Sequence, residues 1–198
     1  MAFFTNFKKS AEELKSVKCI VTIGLLLAVG VVLDGFGTIR IGDAIKINFT
    51  FLPLAMIGIL FGPVCGFLGG MLVDIIGYLV NPIGAFIPWL VLIQGLEGLI
   101  YGMILYNLKA EKTWQTFLRI IVSRFIVCAL CNLTLNTWAL YSMGFIKGDS
   151  FGVLFVARII TNLITFALGS AMMTVLCIPL KLAYNRIFRK NTGAKEAQ

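Results

Sequence analysis

The sequence places ionisable side chains inside long apolar stretches, where an uncompensated charge is costly. One of them, Asp74, shares a helix face with glycines that precede it at four-residue spacing, namely Gly62, Gly66 and Gly70. Glycines at this spacing allow two helices to approach closely, but packing alone gives a carboxylate no compensation. The position of Asp74 therefore predicts a polar partner or a ligand.

Three further apolar stretches carry polar residues at helical spacing. These residues are Gln94, Glu97 and Tyr101 in the first stretch, Arg124, Cys128, Asn132 and Asn136 in the second, and Arg158, Asn162, Thr165 and Gly169 in the third. Polar stripes on membrane helices normally face each other or a cavity. The four stripes together predict a polar interior.

Depth separates these residues into two groups. The outer group is predicted to bind a flat, polar, partly anionic ligand, and it comprises Asp74, Trp89, Asn132, Asn136, Trp138, Arg158 and Asn162. A self-satisfied bridge between Asp74 and Arg158 is the alternative. The deeper Glu97 and Arg124 are interpreted as a buried ion pair between the fourth and fifth membrane helices, with direct ligand contact as the alternative.

Composition identifies the elements that must position these side chains. The chain has 198 residues, of which 59% are hydrophobic and 13% charged, with a mean hydropathy of +0.95. Such a composition is typical of integral membrane proteins. Apolar stretches that we interpret as crossings of a hydrocarbon layer of about 30 Å run at residues 20–33, 47–61, 64–80, 85–107, 115–143 and 153–180. The sequence therefore predicts an all-α, six-transmembrane-helix bundle, with a turn at Gly62-Pro63.

The basic residues orient this bundle. Short cytoplasmic loops collect Lys and Arg, and an even number of helices puts the three basic clusters, at 8–18, 109–119 and 181–195, on one side. Both termini are therefore predicted to be cytoplasmic. The net charge of +8 mostly reflects this topology, and the basic residues also attract anionic lipid of the bilayer. The charge is therefore not a signal for nucleic acid.

The chain divides into three parts. Residues 1–16 are a cytoplasmic or interfacial segment, 17–190 the six-helix membrane domain, and 191–198 a disordered tail. The sequence of the first segment is compatible with two interpretations, an amphipathic helix that lies on the membrane surface and a frayed tail.

Several chemistries are excluded by residue types. The chain has no histidine, so it has no Ser-His or Cys-His nucleophile pair and no H-E-x-x-H zinc site. Cys128 and Cys131 match C-x-x-C, but they lie in a long apolar stretch without a second pair, which favours helix packing over metal binding. No P-loop occurs either. We therefore expect no enzyme, no metal and no cofactor on this chain; uphill transport would draw on an ion gradient or on a nucleotide-hydrolysing partner.

The run "INFTFLPLAMIGILFGPVCGFLGGMLVDIIGYLVNPIGAFIPW" resembles the S components, the membrane-embedded substrate-binding subunits, of energy-coupling factor (ECF) vitamin transporters. The length, six predicted helices, the G-P turn and the G-x-x-x-G…D pattern are similar to that family, and the resemblance spans residues 17–190. Within the family, "TIRIGDAIKINFTFLPLAMIGILFGP" and "CNLTLNTWALY" are most similar to the folate-specific members. S components for riboflavin, thiamin and pantothenate share the scaffold and remain alternatives.

The resemblance implies folate capture at the outer face of a bacterial plasma membrane. It also implies three partner subunits: a transmembrane coupling (T) subunit and two cytoplasmic ATPase subunits. ATP would be hydrolysed by the ATPase subunits and not by this chain. S components dock on the coupling subunit through two small residues four apart on the first helix, and the nearest match here is Gly24 and Ala28. Ordinary packing within the bundle is the alternative role for this pair.

The chemistry of folate suggests how the outer group binds it. The pterin head presents an N–H and an amino group side by side, which a carboxylate such as Asp74 accepts with both oxygens. Asparagine amides suit the ring acceptors, Trp89 or Trp138 offers a stacking surface, and Arg158 suits the glutamate portion. A small ion-driven secondary transporter is the rival reading, although the sequence has no detectable inverted repeat.

Overall fold

A computed structural model describes residues 2–36, 39–41, 45–47, 49–82, 86–106, 113–142 and 151–193. Its elements, in chain order, are α1 (Ala2–Glu13), α2 (Val17–Phe36), β1 (Ile39–Ile41), β2 (Ile45–Ile47), α3 (Phe51–Phe61), α4 (Pro63–Val80), α5 (Pro88–Leu105), α6 (Thr113–Ile126), a π-helical segment (Val127–Leu135), α7 (Asn136–Ser142) and α8 (Phe151–Gly193).

Five of the described helical stretches are long and apolar enough to cross a membrane, and they are Val17–Gly35, Pro63–Val80, Pro88–Leu105, Trp114–Ser142 and Arg158–Leu176. The sixth apolar helix, α3, has 11 residues and a length of only about 16 Å. Ten of these residues are buried, because α3 lies at the centre of the helical membrane bundle.

The predicted turn at Gly62-Pro63 is confirmed. Helix α3 ends at Phe61, α4 begins at Pro63, and Gly62 between them has φ +88°, a conformation that glycine adopts without strain. A Cβ added at Gly66 would lie 3.4 Å from the Cα of Gly58. These two glycines are equally far from Gly62, so α3 and α4 form an antiparallel hairpin.

Glycines also bring the backbones of α4 and α5 into contact. A Cβ added at Gly66 would overlap the carbonyl oxygen of Gly98, and one at Gly70 would overlap that of Gln94. On the α3 side, a Cβ at Gly58 would lie 2.8 Å from the amide nitrogen of Gly102. We call the contact formed by Gly58, Gly66, Gly70, Gly98 and Gly102 the glycine interface.

Helix α1 is anchored to the α3–α4 turn by a buried serine. The Ser10 hydroxyl donates to the carbonyl of Phe61 at 2.6 Å and accepts from the amides of Val64 at 3.1 Å and Cys65 at 3.3 Å. Since Gly62 has no side chain to cap α4, Ser10 satisfies amides that would otherwise be unpaired. Residues 2–13 are therefore a docked helix, which favours the helical reading of the N-terminal segment over the frayed tail.

Three features depart from the predicted all-α fold. Strands β1 and β2 form an antiparallel pair with Arg40 opposite Lys46, where the sequence analysis expected only a loop. The alternation of isoleucine with polar or charged neighbours suits a strand. The predicted helix 115–143 is divided by the π-helical segment. Helix α8 has 43 residues and continues through 191–193, which were assigned to the tail; residues 194–198 lie outside the described part.

Candidate functional site

The polar stripes converge on one cavity. Its volume is about 330 Å³, and it lies toward the end of the bundle opposite α1. Its lining residues come from α3, α4, α5, α6, the π-helical segment, α7 and α8, and they are Phe51, Asp74, Leu90, Ile93, Gln94, Glu97, Arg124, Asn132, Asn136, Arg158, Thr161, Asn162 and Thr165. Charged and amide side chains predominate, so the cavity suits a ligand rich in hydrogen-bonding groups.

Two carboxylates form the acidic part of the lining. Glu97 is only 5% exposed, and it interacts electrostatically with the carboxylate of Asp74 and the guanidinium of Arg124. The side chain of Asn132 is a hydrogen-bonding neighbour of Glu97. Two acidic groups in one buried cavity favour a ligand that brings N–H donors, because such donors can bind carboxylate oxygens.

Arg124 forms the floor of the cavity and is 2% exposed. Its Nη1 donates to the hydroxyl of Tyr101 at 2.7 Å, and its Nη2 donates to the carbonyl of Thr165 at 3.3 Å. The guanidinium carbon lies 3.7 Å from the centroid of the Phe51 ring, which is a cation–π contact. Arg124 is therefore a fixed cation with contacts to three helices.

Arg158 supplies a second cation, nearer the start of α8. Its Nη1 donates to the hydroxyl of Thr137 at 3.0 Å, and its backbone carbonyl accepts from the side-chain amide of Asn162 at 2.9 Å. Thr137 is 3% exposed, so α7 supports Arg158 from within the bundle. The cavity thus contains two carboxylates and two guanidinium groups.

The π-helical segment explains why one chain stretch contributes three residues to the lining. In an α-helix, positions four apart drift around the axis by about 40° at each step. Three such steps separate Arg124 from Asn136. A π-helix winds less tightly, with i→i+5 bonds, and the Thr134 hydroxyl accordingly donates to the carbonyl of Ala129 at 2.8 Å. The wider winding keeps Arg124, Asn132 and Asn136 on the cavity side.

The cavity includes five of the seven predicted site residues, namely Asp74, Asn132, Asn136, Arg158 and Asn162. Trp89 and Trp138 lie outside its lining; they pack edge to face at 6.4 Å and are 49% and 58% exposed. Glu97 and Arg124, interpreted as a structural ion pair, line the same cavity as the outer group. Their electrostatic interaction is present, while the described hydrogen bonds of Arg124 go to Tyr101 and Thr165.

The sequence analysis missed part of the lining. Gln94 and Thr165 stood in the polar stripes without being assigned to the site, and Thr161 follows the same helix face as Arg158 and Thr165. Phe51, Leu90 and Ile93 carry no polar signal, so hydropathy could not distinguish them from other core residues.

The proposed docking pair lies on the surface of α2. Ala28 is exposed, and a Cβ added at Gly24 would have nothing within 4 Å. Gly30 on the same helix is different, because its Cβ would lie 2.8 Å from Val73 and 3.3 Å from Pro53. The described structure therefore gives Gly24 no packing role inside the bundle.

Comparison with known proteins decides the family. The sequence profile of the family described as "ECF-type riboflavin transporter, S component" matches residues 14–185. The chain belongs to this S component family. It is accordingly a multi-pass membrane subunit of a transporter and not an enzyme.

Relatives of this S component are named folate transporters. It is 30% identical to the "Folate transporter FolT" of Clostridium novyi over 161 residues, which cover 81% of this chain and 88% of the relative. It is 28% identical to the protein of the same name from Leuconostoc mesenteroides, with 74% and 77% covered. The structure titled "Crystal structure of FolT bound with folic acid" superposes with a TM-score of 0.71 at 30% identity, covering 81% of this chain and 93% of that chain.

Proposed function

We propose that this S component binds folate at the outer face of a bacterial plasma membrane and delivers it across the membrane. The observation that carries the proposal is a cavity lined by two carboxylates, two guanidinium groups and three asparagines. It lies in a fold similar to that of a folic acid-bound relative. At about 330 Å³, the cavity is at the lower end of the roughly 300–1,000 Å³ of small-molecule pockets.

The acidic part of the cavity suits the pterin head of folate. The pterin presents an amino group and a ring N–H side by side, and Asp74 can accept both. Asn132 and Asn136 in the same lining can donate to the ring acceptors. Glu97 lies beside Asn132 and keeps its carboxylate close to the same ring.

The second part of the cavity suits the anionic end of folate. Arg158 and Asn162 lie next to each other on α8, and Arg158 is half-buried rather than exposed. A guanidinium in that position can bind a carboxylate bidentately. Trp89 and Trp138 form an exposed aromatic pair, and we propose that they stack on the ligand where it emerges from the cavity.

A riboflavin-binding S component is the second candidate, because the description of the matching family names that vitamin. Three considerations favour folate. The relatives from Clostridium novyi and Leuconostoc mesenteroides are named folate transporters, a superposable relative holds folic acid, and folate brings carboxylates for the arginines of the cavity. Riboflavin has no carboxylate.

We further propose six membrane helices with both termini in the cytoplasm. The short α3 would be the second of them, and the basic residues near α1 and at the end of α8 would lie on the cytoplasmic side. The cavity then opens outward. A transmembrane coupling subunit and two ATPase subunits would supply the energy, and Gly24 and Ala28 on the exposed face of α2 would dock on the coupling subunit.

Calorimetric titration of the purified chain, expressed without partners, tests this function. Folate, riboflavin, thiamin and pantothenate are each titrated into folded protein in detergent. We expect tight one-to-one binding of folate alone. Tight binding of riboflavin instead would refute the folate assignment and keep the family. In a separate uptake assay, transport without any ATPase would support an ion-driven transporter.

Replacing Asp74 by asparagine tests the pterin role. The substitution removes the negative charge and one of the two acceptor oxygens, so we expect folate affinity to fall about ten- to hundredfold. Asp34→Asn is the control, since Asp34 lies on α2, outside the lining of the cavity. Unchanged affinity in Asp74→Asn, measured by the same titration, would remove Asp74 from the site.

A bulky residue at Gly24 tests the docking surface. Because Gly24 has open space around it, Gly24→Leu should leave folate binding and the melting temperature of the isolated chain unchanged. Transport by the reconstituted complex should fall at least tenfold, since leucine prevents close helix approach. Ala167→Leu, at an exposed position of α8, is the matched control. Full transport by Gly24→Leu would contradict the docking role.

A further inference from the structure

Gly169 on α8 packs directly against the arginine at the floor of the cavity. A Cβ added at Gly169 would lie 2.6 Å from Nε, 2.7 Å from Nη2 and 2.9 Å from Cζ of Arg124. All three distances are shorter than the van der Waals contact of about 3.5–4.0 Å. The two nitrogens are nearest, so the added carbon would lie beside the Nε–Nη2 edge of the guanidinium.

Three further groups contact the guanidinium. Phe51 covers a face at 3.7 Å, Tyr101 accepts from Nη1, and Thr165 accepts from Nη2. Within the described part of the chain, Nε is buried and has no hydrogen-bond partner. Nε is also the atom nearest to the Cβ that any other residue at position 169 would bring.

We propose that Gly169 is a positioning residue for ligand binding, because its missing Cβ leaves the space in which Arg124 is held at the floor of the cavity. The inference rests on the proposed function. Arg124 interacts electrostatically with Glu97 in the same lining. Displacing the guanidinium would therefore change the charge arrangement that the ligand meets.

The nature of the contact separates this role from simple helix packing. At Gly66 the added Cβ would meet backbone atoms of α5, which can move only if the helix moves. At Gly169 it would meet the end of a long side chain. The Arg124 side chain can move away by changing rotamer. We therefore expect Gly169→Ala to fold with the guanidinium displaced from its position in the wild type.

The experiment is a double-mutant cycle on the purified chain. Wild type, Gly169→Ala, Arg124→Lys and the double variant are compared in folate affinity and in the melting temperature without ligand. Lysine lacks the Nε–Nη2 edge, so it removes the group with which the new methyl would collide. Gly35→Ala is the control, because a Cβ at Gly35 would have nothing within 4 Å.

We expect Gly169→Ala to weaken folate binding about ten- to hundredfold and to have no further effect in the Arg124→Lys background. If Gly169→Ala fails to fold, the double variant should fold again. Unchanged affinity in Gly169→Ala, or an equal effect in both backgrounds, would overturn the proposal. Wild type that does not bind folate would refute the proposed function, while the melting-temperature cycle would still test the contact between Gly169 and Arg124.

Discussion

Glycines have different roles in two parts of the membrane bundle. We call α3, α4 and α5 the glycine half, and α6, the π-helical segment, α7 and α8 the cavity half. In the glycine interface, α3, α4 and α5 touch backbone to backbone, and any side chain would meet main-chain atoms. Around the cavity, α6 and α8 contribute long polar side chains, Arg124 and Arg158, to the lining. Gly169 serves there to admit a side chain rather than a neighbouring backbone.

This difference assigns distinct tasks to the two halves. Close backbone contact leaves a packed interface few alternative arrangements, so the glycine interface is suited to hold Asp74 and Glu97 at fixed positions. The cavity half contains polar groups whose partners can change from protein to ligand. Changes at the glycines of the glycine interface should therefore act on stability, and changes in the cavity lining on binding.

The largest effect is expected from Gly66→Ala. Its Cβ would overlap the carbonyl oxygen of Gly98 and lie 2.9 Å from the carbonyl carbon of the same residue, so α4 would have to move away from α5. We expect the free energy of unfolding to fall by about 3 kcal/mol or more, measured by denaturation of the purified chain.

Gly77→Ala on the same helix is the matched control. Its Cβ would meet only the Oδ2 of Asp34 at 3.5 Å, an ordinary contact distance, so its stability should stay close to that of the wild type. A Gly66→Ala protein that is as stable as the wild type but binds folate more weakly would contradict this division. It would mean that the glycine interface contributes to binding rather than to stability.

A smaller effect on stability is expected from Ser10→Ala. The variant leaves the carbonyl of Phe61 and the amides of Val64 and Cys65 without the hydroxyl that joins them. Unsatisfied buried groups of this kind cost about 1–3 kcal/mol, which thermal unfolding of the isolated chain would detect.

Ser170→Ala is its control, because that hydroxyl donates only to Ala167 within its own helix. Folate affinity should be unchanged in both serine variants, since Ser10 lies at the end of the bundle opposite the cavity. Equal melting temperatures for Ser10→Ala and the wild type would show that the Ser10 hydroxyl does not stabilise the contact between α1 and the α3–α4 turn.

Spacing in the sequence predicted much of this arrangement. Four-residue periodicity identified the glycine face of α4. A turn at Gly62-Pro63 was predicted because a single helix over residues 47–80 would be far longer than a bilayer needs. In the structure, Gly62 has φ +88° and Pro63 is at the first helical position. The polar stripes predicted the convergence of Asp74, Asn132 and Asn162. In each case a local rule is enough to assign the residue to a helix face.

Depth and local winding could not be predicted in the same way. Glu97 and Arg124 were separated from the outer group by counting residues, whereas the cavity extends from the outer group to both of them. Trp89 and Trp138 were placed in the pocket by residue type, but they pair with each other outside its lining. Contacts between distant segments decide such positions, and periodicity carries no information on them.

The smallest effect, and the one that sharpens the comparison most, is expected from Thr137→Val. Valine keeps the shape of this buried residue but removes the hydroxyl that accepts from Arg158 at 3.0 Å. Folate affinity should fall about two- to tenfold, because Arg158 loses its support, while the melting temperature without ligand stays nearly constant. Thr134→Val is the control, since its exposed hydroxyl donates only to Ala129 of its own segment. A lower melting temperature with unchanged affinity would mean that Arg158 serves the fold, and the cavity half would then share the structural task of the glycine interface.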